Sequence, residues 1–283
     1  MSFGSVSTRR DVIVPGEVPI HATVHPGSGP GLVLVHGISG SGDAWLPVTG
    51  ALGEHFTPVT YDMRGHGESG KPESGYLYDD YIDDLDRLLA FLGLDRPLIM
   101  GHSLGGLVTL WWAARHPSRA AALVIEDSPL RSGEEFRPAF DNWIRLNGLP
   151  QDELRDHYSS SHPNWKPEVV DRRTRQMHVT APGVFTELKD DSMAHDGVDR
   201  IAEIEHIESP TLLVHGDVDT GGMVHAEDAR AFGRRITNAS VVRLPGANHH
   251  LHMDRMREFL AVAVPFLHEH GSDASHVRVA DAR

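Results

Sequence analysis

The chain has no cysteine in 283 residues, so disulfides, thiolate metal sites and thiol nucleophiles are excluded together. Long apolar runs are missing too. No stretch approaches the roughly 18 apolar residues of a membrane-spanning helix, and the opening MSFGSVSTRR lacks the apolar core of a signal peptide, so a cytoplasmic protein is expected. Basic residues are in deficit: 26 Lys and Arg against 40 Asp and Glu leave a formal charge of -14. A field of that sign repels nucleic acid and anionic lipid. A small-molecule substrate is therefore the expected partner, without nucleic acid or membrane, and a homodimer is the assembly to be considered. What is present is ordinary globular composition, 40% hydrophobic and 23% charged, with length for one large core and a small inserted unit.

Short apolar runs at 32–35, 56–61, 98–100, 122–125, 211–214 and 240–244 alternate with amphipathic segments. That order predicts an α/β fold, a mainly parallel sheet covered by helices on both faces. Tyr78, Tyr81, Ile82, Leu85, Leu88, Leu89 and Leu92 share one helical face, and Gly93 supplies the stop. Asp79, Asp80, Asp83, Asp84 and Asp86 then fall on the solvated face of that helix. Between residues 129 and 210 the alternation ceases, and arginine becomes frequent, at 131, 137, 145, 155, 172, 173 and 175. This predicts a helical cap over 131–208 that divides a core of 1–130 and 209–270. A last helix is expected over 252–268, followed by a flexible polar tail over 271–283.

Gly101-His102-Ser103-Leu104-Gly105 matches G-x-S-x-G where an apolar strand runs into an amphipathic helix. Such a turn strains the serine backbone and exposes its hydroxyl at a helix N-terminus, where developing negative charge is favoured. Acyl transfer by Ser103 also needs N–H donors for the oxyanion. Leu104 N–H is one candidate; Ile38 N–H, in the glycine-flanked loop 36–40, is the other, with Ser39 next.

These pieces, with His36-Gly37, Trp45 and the run Asp62-Met-Arg-Gly-His-Gly-Glu-Ser69, resemble the α/β-hydrolase superfamily over nearly the whole chain. The resemblance implies an eight-stranded sheet, a helical cap and cofactor-independent chemistry in which serine, an acid and a histidine follow in that order. It makes His249, in Ala247-Asn248-His249, the base, with Asn248 where the family usually has glycine. The acid is Asp219, after the seventh strand, or alternatively Asp127 at the end of the sixth. Ser39, His102, Trp143 and Trp165 are then substrate-binding candidates. The implied activity is carboxylesterase-like serine hydrolysis of an ester, lactone or activated amide through an acyl-enzyme. Its alternatives are C–C cleavage or perhydrolase and haloperoxidase chemistry with the same triad, or a ligand-binding receptor with residual hydrolysis.

His250-Leu-His252-Met-Asp254 also spells H-x-H-x-D, a dinuclear metal pattern, but Arg255 stands where that pattern needs another histidine. No metal and no cofactor are expected, and His252 reads as a helix-start residue beside the site.

Overall fold

The computed structural model describes residues 6–163 and 165–278. Eight strands form one sheet in the order β1-β2-β4-β3-β5-β6-β7-β8. They are β1 Arg10–Val14, β2 Ile20–Val24, β3 Gly31–Val35, β4 Thr57–Tyr61, β5 Leu98–His102, β6 Ala122–Glu126, β7 Thr211–His215 and β8 Ala239–Arg243. From β4 to β8 all pairs are parallel; β1 and β2 are antiparallel additions at one edge. The six runs read from the sequence are β3 to β8. β1 was not legible because its side chains are mostly exposed, with no apolar alternation.

Period-two packing explains why β3 and β5 read as unbroken apolar runs. Val33, Val35 and Ile99 face one core layer, while Leu32, Leu34, Leu98 and Met100 face the other. The first layer is closed by α2 Tyr78–Phe91 and α3 Leu104–Arg115, and the second by α1 Leu46–Gly53 and α11 Met256–His270. Between β6 and β7 lie α4 Arg137–Asn147, α5 Gln151–Ser161, α6 Pro167–Val179, α7 Pro182–Ala194 and α8 Arg200–Ile204. Leu146, Leu154, Tyr158, Val170, Met177 and Phe185 give these helices a small core of their own. The remaining helices are α9 Ala226–Arg235 and the short α10 Leu251–Asp254. No helix among the described residues is long and apolar enough to cross a membrane.

Three expectations are corrected. Asp84 is not on a solvated face: it is buried, and the Arg64 guanidinium donates to both its oxygens at 2.6 and 2.9 Å, with Arg87 on one of them. Helix periodicity cannot foresee a cation arriving from another segment. The stretch after Gly271 is not free over its described part. Ser275 N–H donates to Arg96 carbonyl at 2.9 Å, Ser275 carbonyl accepts from Gly31 N–H at 2.8 Å, and Arg278 N–H reaches Leu92 carbonyl at 2.8 Å. These bonds satisfy backbone groups beside the starts of β3 and β5 and at the end of α2, which a polar sequence can do without an apolar signature. Residues 279–283 lie outside the described residues. The last helix is broken at Arg255, whose non-helical φ of -130° separates α10 from α11.

Candidate active site

The parallel register places three chemical groups at neighbouring strand ends. Gly101 stands opposite Ile125 and His102 opposite Glu126, so Ser103 and Asp127 are the first residues beyond β5 and β6. Ser103 has φ 53° and ψ -121°, the strained turn expected between a strand and α3. A Cβ on Gly105 would lie 2.2 Å from Val35 carbonyl oxygen, so only glycine lets α3 start this close to β3.

The loop after β3 passes directly against the serine: a Cβ on Gly37 would sit 3.1 Å from Ser103 Cβ. Two neutral histidines brace this loop. His36 donates from Nδ1 to Gly37 carbonyl at 2.8 Å and accepts Met63 N–H on Nε2 at 3.0 Å. His66 donates from Nδ1 to Arg64 carbonyl at 2.9 Å and accepts Ser39 N–H on Nε2 at 3.3 Å. Burial lowers both pKa values, that of His66 to about 3, so the braces stay uncharged at neutral pH. Ser39 N–H is thus taken up by His66, whereas Ile38 N–H and Leu104 N–H donate to no described residue. Asp62, in the same turn-rich run, accepts Gly42 N–H at 2.7 Å and Glu68 N–H at 2.8 Å. Burial pushes its carboxyl up, but His21 and these N–H groups outweigh that and hold it at about 2.

His249 follows β8, and its Nδ1 lies 2.8 Å from Asp127 Oδ2. Asp127 is fully buried. Its Oδ1 accepts Gly216 N–H at 3.0 Å and its Oδ2 accepts Met223 N–H at 2.8 Å. Two backbone N–H donors and His249 Nδ1 thus converge on the Asp127 carboxylate, so the contact orients the His249 ring through Nδ1 and leaves Nε2 without a hydrogen-bond partner among the described residues. Asp219, the first choice from sequence, is exposed in the turn after β7 and does not reach His249. The reason is the direction of that loop: Asp217 turns out to Arg243 and Gly246 N–H, while the loop's backbone at 216 and 223 wraps Asp127. The loop brings N–H donors, and no carboxylate of its own, to the Asp127–His249 contact.

Ser103 and His249 border one cavity of about 120 Å³, together with Ile38, Ser39, His102, Trp143 and Trp165. All four substrate-binding candidates therefore line the cavity that Ser103 borders. No hydrogen bond joins Ser103 Oγ to His249 among the described residues; such bonds commonly close only when substrate is bound. His102 donates from Nε2 to His249 carbonyl at 2.9 Å and so holds the histidine loop. Burial, then the neighbouring His249, keeps the His102 pKa well below its usual value.

Sequence reading missed two features. Glu126 and His252 form a second, fully buried carboxylate–histidine pair beside the first: His252 Nδ1 lies 2.8 Å from both Glu126 oxygens, and His252 N–H donates to Oε1 at 2.9 Å. The adjacent acids Glu126-Asp127 were the available signal. His252 stacks on Trp45 with ring centroids 4.4 Å apart. The other is Arg173 on α6, which donates to Ser39 carbonyl at 2.8 Å and Ser39 Oγ at 2.9 Å, tying the inserted helices to the loop after β3. The H-x-H-x-D residues disperse: His252 goes to Glu126, and Asp254 accepts from Asn248 Nδ2 at 2.8 Å. Among the described residues no three His, Asp or Glu side chains converge as a metal would require.

Comparison with known proteins agrees with this fold. A family model described as alpha/beta hydrolase fold matches residues 30–255. A 2-(acetamidomethylene)succinate hydrolase of Mesorhizobium japonicum is 26% identical over 233 residues, covering 80% of this chain and 83% of its own. The crystal structure of an E-2-(acetamidomethylene)succinate hydrolase superposes with a TM-score of 0.79 at 22% identity, over 92% of this chain and 99% of that one. A malate-bound thermophilic esterase from Thermogutta terrifontis superposes with a TM-score of 0.73 at 24% identity, over 92% and 98%.

Proposed function

Because the chain belongs to the alpha/beta hydrolase fold family, with hydrolases among its relatives, we propose that it is a serine hydrolase acting through Ser103, His249 and Asp127. The observation that carries the reading is the contact of buried Asp127 with His249, which borders the same cavity as a serine held in a strained strand-to-helix turn. His249 Nε2 takes the Ser103 proton as Oγ adds to an ester, lactone or activated amide carbonyl. The oxyanion is received by the Ile38 and Leu104 N–H groups. His249 then returns the proton to the leaving group, and in the second half-reaction it activates the water that cleaves the acyl-enzyme. Asp127 keeps the imidazole tautomer and stabilises the imidazolium formed in each half.

With a 4-nitrophenyl ester, rapid-mixing kinetics are expected to show a burst of nitrophenolate approaching one equivalent per chain, followed by slower steady-state release. Where acylation limits turnover and no burst accumulates, hydroxylamine is expected to divert the acyl group to the hydroxamate without raising nitrophenolate release. Product formed with neither a burst nor such partitioning would exclude the acyl-enzyme.

A further inference from the structure

We infer that the Ser103 cavity selects small organic acids, with Arg172 on α6 as the anchor for a substrate carboxylate some bonds away from the scissile carbonyl. This rests on the reading of Ser103 as nucleophile. The chain carries a net charge of -14, and its arginines are mostly consumed by carboxylates, as with Arg64 on Asp84, Arg131 on Asp228, Arg200 on Glu203 and Arg235 on Asp199. The wall of the Ser103 cavity reverses that pattern. It contains Arg172 and Arg173 and no Asp or Glu. Arg173 spends its fork on Ser39, whereas Arg172 makes no hydrogen bond or ion pair with a described residue.

A guanidinium left unmatched beside a cavity in an otherwise acidic molecule is a site of positive potential aimed at ligand, and its planar fork fits a carboxylate bidentately. Burial, with the charges of neighbouring groups, keeps the His102 and His250 pKa values well below normal, so these two rings add no competing charge. Trp143, Trp165 and Ile38, which line the same cavity as the arginine and the serine, supply apolar surface for a short carbon chain. Arg172 also borders a neighbouring cavity of about 210 Å³ that holds Asp43, Asp62 and Glu68. None of the three pairs with it, and Gln176, pinned by its Nε2 to Ser41 Oγ at 2.9 Å, stands in the wall shared by the two cavities. Arg173 fixes α6 on the oxyanion loop, so its sequence neighbour Arg172 is held in a set relation to the reacting carbonyl.

The test compares 4-nitrophenyl hydrogen succinate, glutarate and adipate with their methyl-capped neutral counterparts, spontaneous hydrolysis subtracted. For the best-fitting chain length, kcat/KM is expected to favour the acid by a factor on the order of 30, carried mainly by KM. Arg172→Gln is expected to bring that ratio to within about 3 of unity, and Arg172→Lys to retain part of it. A wild-type ratio near unity at every length, or a ratio that survives Arg172→Gln, would overturn the assignment. The nucleophile reading fails separately: wild-type protein that hydrolyses neither series removes both proposals, whereas equal hydrolysis of both series removes this one alone.

Discussion

Ser103→Ala is expected to lower kcat/KM for an activated aryl ester by a factor on the order of 10⁵ while leaving the thermal midpoint almost unchanged. The large loss follows from the division of labour at the site. With no hydroxyl, His249 has no proton to take, no covalent intermediate forms, and only the oxyanion donors and the cavity walls remain to act on a substrate attacked by water. The small stability effect follows from what the side chain touches: Ser103 Oγ makes no hydrogen bond to a described residue, and its backbone strain is set by the glycines and the packing of α3, which alanine leaves in place. Initial rates and a thermal melt on the same preparation check both halves.

Asp127→Asn is the second large effect, a loss of about 10⁴ in kcat with little change in KM. Asparagine is nearly isosteric, so the loop around residues 216 and 223 can keep its form. Its amide group, however, offers a donor where the carboxylate only accepts. With its carbonyl oxygen kept on Gly216 N–H, the introduced NH₂ takes the place of Oδ2, where it meets Met223 N–H and faces His249 Nδ1, moving the ring proton to Nε2, where a base must be free. Asp219→Asn, in an exposed turn, should stay within about twofold of wild type. Measuring the two variants side by side with circular dichroism separates the acids. A collapse in Asp219→Asn with Asp127→Asn near normal would reinstate the acid favoured by sequence.

The contrast between those acids shows what a sequence can carry. Ser103 was legible because everything that defines it is local: an apolar strand, two glycines and an amphipathic helix within a dozen residues. His249 was placed by its position just past the last strand and by the family likeness. Which carboxylate meets His249 is not a local property. It depends on the register that sets Glu126 opposite Val214, and on a loop after β7 that turns its carboxylates outward and its N–H groups inward. The Glu126–His252 pair was hidden for the same reason, its members lying 126 residues apart in the chain. Asp84 belongs to this class as well, since its burial is decided by Arg64 from a different segment.

The inserted helices illustrate the opposite case. Their existence was legible from the loss of strand alternation, yet their bearing on the site was not, because one interaction creates it: Arg173 reaching from α6 to Ser39. That contact couples whatever substrate the cap side admits to the loop that carries Ile38, the proposed oxyanion donor. Specificity and electrostatic stabilisation thereby share one rigid connection.

The most direct measurement is peptide-level mass spectrometry after reaction with a fluorophosphonate, which phosphonylates only a serine activated by a neighbouring base. A single adduct on the peptide containing Ser103, formed with stoichiometric loss of esterase activity and absent from His249→Ala, is the expected result. Full loss of activity with the adduct on another residue, or undiminished turnover with Ser103 unlabelled, would contradict Ser103 as the nucleophile.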